Sequence, residues 1–165
     1  MTALLLSIHV LAAILTIGPI AVAASMFPPA ARAAHQSPDA PAKTAVVRVL
    51  HRITRVYAVV GILVPVFGLA TGASLGVLGD AWLIVSMILT AAAAVVLIAL
   101  ILPAQGHTLT VLEPAVTPEA VRPVEEAPDR IGRRLAMHTG VFNVLWAVVV
   151  VLMIYRPGST TGVGQ

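Results

Sequence analysis

Apolar residues run almost unbroken through four parts of this chain, about Ala3 to Phe27, Val56 to Gly76, Trp82 to Leu102 and Leu135 to Tyr155. Each is long enough for the roughly 20 residues that carry a helix across about 30 Å of hydrocarbon. The runs are continuous rather than alternating, so the pattern predicts helices and not barrel strands. The expected fold is an all-α membrane protein, an antiparallel four-helix transmembrane bundle forming one integral domain over residues 1–165. Loops are expected at 28–55 and 103–134, with the second helix extending back from its span to about Ala45, through AVVRVLHRITRVYAVV, into the headgroup layer. The first contains Pro28, Pro29, Pro38 and Pro41, which should break any helix. The tail after Tyr155 is short and polar. The first apolar run is longer than the core of a cleavable signal and has no Lys or Arg before Arg32, so it is expected to stay as the first span.

Composition agrees with that pattern. Hydrophobic residues make up 59% of the chain and charged residues 10%, against about 25% charged in soluble domains. The basic residues decide orientation. Arg32, Lys43, Arg48, Arg52 and Arg55 fall in the first long connection, and Arg122, Arg130, Arg133 and Arg134 in the second. Only Arg156 lies at the other end. The positive-inside rule then puts both long connections in the cytoplasm and both termini outside, in the inner (plasma) membrane. The formal net charge of +3 is therefore a topology signal, and no nucleic-acid partner is expected. Arg48, Arg52 and Arg55 share a helical face that suits lipid headgroups. A homo-oligomer or a larger membrane complex stays open.

Small residues mark a packing seam. Gly61, Pro65, Gly68 and Gly72 lie along one side of the second span, where close backbone approach is possible. Pro65 should kink the helix and expose the carbonyl near Gly61 to a neighbour. The matching seam is expected in the third span at Ser86, Thr90 and Ala93 or Ala94. Tyr57 and Phe27 are expected to mark the cytoplasmic boundary and Trp82 and Tyr155 the outer one, with Trp146 filling the bundle interior.

Chemistry rests on few groups. The chain has no cysteine, which removes disulfides and thiolate sites. The apolar runs hold no Asp or Glu, which weighs against a proton-coupled transporter. Thr16, Ser86, Thr90, His138 and Asn143 are expected to make interhelical polar contacts. His9 lies in the outer half of its span and His138 near the inner boundary, so the two should not share a metal. His51, His107 and His138 could gather at the inner end, but no close histidine pair occupies one helix. No dedicated metal site is expected. His9 is either an axial haem ligand or a hydrogen-bonding strut between helices.

The run IHVLAAILTIGPIAV, with His9 nine residues before Gly18, resembles the first-helix pattern of the CopD-like group of membrane proteins. That group includes copper-resistance proteins, HemJ-type protoporphyrinogen oxidases and uncharacterised four-helix membrane proteins. The chain looks most like the uncharacterised members; Thr16 and Ile17 stand where the HemJ-type pattern has a tryptophan. The resemblance implies a four-helix bundle with His9 as the cofactor-binding residue and haem b as the candidate cofactor. It leaves three functional readings: an accessory or structural bundle, a haem-dependent membrane oxidoreductase, and a copper permease.

Overall fold

The computed structural model describes residues 1–36, 40–112 and 128–158. The described residues form helices and turns: α1 (Thr2–His35), α2 (Ala40–Val60), α3 (Leu63–Leu75), α4 (Ala81–Val95), a π-helical segment (Val96–Ile101), α5 (Leu102–Leu112) and α6 (Pro128–Tyr155). They make four helices long and apolar enough to cross a membrane, Thr2–His35, Pro41–Leu75, Ala81–Leu112 and Gly132–Tyr155. Successive spans run antiparallel. Residues 1, 76–80 and 156 lie at one end of the bundle (the terminal end), with residues 36, 40, 112 and 128 at the other (the loop end).

Most of what the prolines were expected to break is helical. α1 continues through Pro28 and Pro29 to His35, and residues 103–112 are helix as well; the second helix extends into the first connection as expected and starts earlier, at Ala40. At 1.5 Å per residue α1 is about 51 Å long, some 20 Å more than a bilayer core. Packing explains the correction. A proline inside a helix removes one backbone donor, and neighbouring helices make that tolerable. Phe27, Pro28 and Ala34 are all buried, so α1 has a partner surface throughout. In α2 the side chains Thr44, Val47, Leu50 and Thr54 are buried. Their spacing of three or four residues is one helical face. Arg48, Arg52 and Arg55 are exposed.

The second span is interrupted as expected, with a different outcome for its carbonyls. The break falls at Gly61 and Ile62, just before Pro65. Gly61 O accepts from the Val64 N–H at 3.0 Å and so is satisfied within its own span. α3 ends in a Schellman arrangement: Gly76 has a left-handed φ of 71°, and Val77 N–H donates to Gly72 O at 3.1 Å. Glycine suits that φ because it has no Cβ. The chain then turns tightly into α4.

α1 packs on α2, α3 and α6, α4 packs chiefly on α6, and α5 packs on α2. The second and third spans therefore meet at the loop end and beside their connecting turn, where Gly72 faces Leu83, and separate in between. The second span breaks and the third turns π-helical at a similar depth. Counting outward from the His51–Gln105 contact, Gly61 is level with about residue 95, the start of the π segment. The apolar core follows this shape. Ile20, Ala24, Phe27, Val47, Ile101, Leu135 and Phe142 are almost fully enclosed and form one cluster on the loop-end side. Phe27 is thus a core residue rather than a boundary marker. Trp82 is likewise buried, whereas Tyr155 is exposed.

Candidate functional site

His9 sits where the second and third spans separate. Its Nδ1 lies 2.9 Å from the Val64 carbonyl oxygen. A carbonyl only accepts, so Nδ1 carries the proton and donates. The ring lies against Gly68: a Cβ built there would be 2.9 Å from His9 Cε1 and 3.3 Å from Nδ1. This is the close approach that a glycine permits, and it joins α1 to α3 by a hydrogen bond and a close ring-to-backbone contact together. The seam glycines thus serve two partners. Gly68 receives His9 of α1, and a Cβ at Gly72 would meet Leu83 of α4 at 2.9 Å. The expected seam against Ser86, Thr90 and Ala93 does not form, because α4 turns to α6 instead. Pro65 lies one turn into α3 and takes no part in these contacts.

Beyond the ring is a small crevice lined by His9, Gly68, Thr71, Trp82, Met153 and Arg156, among others, with a volume of about 30 Å³. One rim is built by side chains that hold one another. Trp82 Nε1 donates to Asp80 Oδ2 at 2.9 Å, and the Arg156 guanidinium stands 5.5 Å from the Trp82 ring centre. Arg156 also donates through Nε to Met153 O at 3.4 Å and has a φ of 44°, a left-handed conformation uncommon outside glycine.

The crevice is a direct test of the haem reading. With Nδ1 bound to a carbonyl, the other ring nitrogen is left as the ligating one, an arrangement common in metal-binding histidines. The space does not fit the group. A volume of about 30 Å³ suits a water or two, far below the roughly 300–1,000 Å³ of pockets that enclose organic ligands. No step through haem is derived.

The hydroxyl groups expected to reach across helices donate within their own. Thr16 bonds Ala12 O at 2.7 Å, Ser86 bonds Trp82 O at 2.7 Å and Thr90 bonds Ser86 O at 2.8 Å. The carbonyl one turn back is the nearest acceptor in an apolar surrounding, and a short side chain reaches it at no cost in interhelical distance. Asn143 does cross. Its Nδ2 donates to Ser25 Oγ at 3.3 Å, a partner outside the five residues expected to make interhelical contacts. His138 is half-buried, and its Nδ1 has no hydrogen-bond partner among the described residues.

The inner histidines stay apart. His51 Nδ1 pairs with Gln105 Oε1 at 3.2 Å, while His107 is exposed. Among the described residues no group of three His, Cys, Asp or Glu side chains gathers. Gln105 is fully buried. The sequence reading missed it by ending the third span at Leu102, although its place four residues from both Ile101 and Leu109 puts it on the core face. Ser25, Arg156 and the Val64 carbonyl were missed too. A backbone carbonyl leaves no mark in hydropathy, and Arg156 lies one position beyond the expected end of the fourth span at Tyr155.

No curated protein and no solved structure matches this chain. A family model does, over residues 3–157, which covers all four spans. It bears on the uncharacterised membrane group and carries no statement about a CopD-like or HemJ-type relation. The chain belongs to the DUF2269 family of predicted integral membrane proteins.

Proposed function

We propose that this protein acts as a structural or accessory bundle of the plasma membrane, with His9 as the clasp between its first two spans. The observation behind this reading is the 2.9 Å contact between His9 Nδ1 and the Val64 carbonyl, with the ring seated on Gly68. An ionisable group inside a membrane span is a functional candidate by default. Here it is engaged by backbone and glycine, in a crevice too small for an organic cofactor. The intramembrane hydrogen bond contributes about 0.6–1.7 kcal/mol on the scale of measured interhelical pairs.

The positive-inside pattern supports cytoplasmic connections and external termini. Arg52 and Arg55, exposed on α2, suit contact with anionic headgroups in that orientation, and Arg48 lies on the same face. Thermal unfolding in mild detergent tests the clasp. His9→Ala is expected to lose about 1–2 kcal/mol, and His9→Gln, which keeps a donor, is expected to recover part of it. A melting curve of His9→Ala that overlays the wild type rejects the clasp.

A further inference from the structure

We infer that α6 and α1 enclose a site for ordered water in the loop-end half of the bundle, built on Thr139, Asn143 and Trp146. The starting observation is a set of enclosed polar atoms with no partner among the described residues: Thr139 Oγ1, Asn143 Oδ1 and Trp146 Nε1, together with His138 Nδ1. Buried polar atoms in native proteins are almost always hydrogen-bonded. Four of them on nine consecutive residues of one helix call for a common cause.

Helical geometry supplies one. At 100° per residue, positions 138, 139, 143 and 146 fall within an arc of about 140°, on the face that also carries buried Phe142. Thr139 is 3% exposed. Unlike Thr16, Thr54, Thr71, Ser86 and Thr90, it makes no bond to the carbonyl one turn back, which leaves its hydroxyl for another partner. The facing helix adds acceptors. Asn143 is bonded to Ser25, so this level of α6 meets α1 just before Pro28 and Pro29. Those two prolines have no N–H, and the carbonyls of Ala24 and Ser25 therefore lack their usual donors four residues on.

The chemistry of the atoms names the ligand. Trp146 Nε1 only donates, whereas Asn143 Oδ1 and the two carbonyls only accept. A bridging molecule must do both, be small, and carry no charge, because Thr139, Asn143 and Trp146 bring no charge for it to balance. Water meets all three conditions. Residues three or four apart on a helix lie on neighbouring turns, about 5–6 Å apart at Cβ. Water in this face can therefore bond Asn143 together with Trp146 and Thr139, and the carbonyls of α1 add acceptors. The polar face stops at Trp146. Val149, 4% exposed, separates it from Met153 and the crevice at His9, about 10 Å farther along α6.

The chain has two tryptophans, so protein labelled with ¹⁵N-tryptophan in nanodiscs gives two indole N–H signals, assigned with Trp82→Phe. The expected result is magnetisation transfer from water to the Trp146 indole proton. Asn143→Leu is expected to lose most of that transfer, and the isosteric Thr139→Val, which keeps the fold if Asn143→Leu does not, is expected to weaken it. A Trp146 indole without water transfer in the wild type overturns the site. So does transfer unchanged in Thr139→Val.

Discussion

At the scale of single residues, His9 and Gly68 explain each other. The imidazole reaches the Val64 carbonyl because nothing stands on Gly68, and the bare backbone at Gly68 is covered because the ring lies there. Gly68→Ala is the sharper probe of this pair. A Cβ would stand 2.9 Å from His9 Cε1, so the ring must leave or the helices must part. The expected cost is about 1–3 kcal/mol in thermal unfolding, and most of it should vanish when His9→Ala is already present, since the two changes remove one contact. Gly18 is the control: a Cβ there meets nothing within 4 Å, and Gly18→Ala should be neutral or mildly stabilising. Both members of the pair stood out in the sequence, one as a lone ionisable ring and one as part of a small-residue stripe. That they meet was not legible. The stripe specifies a face able to approach a neighbour, and which neighbour arrives depends on the crossing of all four helices.

At the scale of elements, hydropathy located the four spans but stopped at the apolar boundary, and so read helices as loops. Residues 28–35 and 103–112 are the clearest cases. From Ala45 onward the helical spacing of Arg48, His51, Arg52 and Arg55 already carried the second helix into the headgroup layer, and Thr44, Val47, Leu50 and Thr54 form its buried face. Proline misled more than charge did. Pro28 and Pro29 sit inside α1 because tertiary packing outweighs their local preference. A pair of neighbouring valines distinguishes a packed helix from a loop. Val47 is fully buried and Val46 is 51% exposed. Val47→Ala should cost about 2 kcal/mol by leaving a cavity, while Val46→Ala should stay within about 0.5 kcal/mol. Equal melting temperatures would show that residues 40–55 do not pack.

At the scale of the whole molecule, the second and third spans pack at the loop end, separate around His9 and come together again at their turn, with the break at Gly61 and the π segment at a similar depth. The loop end holds most of the apolar core, and the terminal end holds His9 and its crevice. The lack of cysteine makes orientation easy to test. Single cysteines at position 2 or 158 are expected to react with an impermeant maleimide added outside intact cells, and one at position 36 is expected to react only after permeabilisation. The reverse pattern would invert the proposed topology.

The most direct measurement is the absorption spectrum of the wild-type protein, expressed in haem-replete cells and purified in mild detergent, beside His9→Ala. With His9 acting as a clasp, neither protein shows a Soret band. A Soret band in the wild type that disappears in His9→Ala would contradict the account and make His9 a haem ligand.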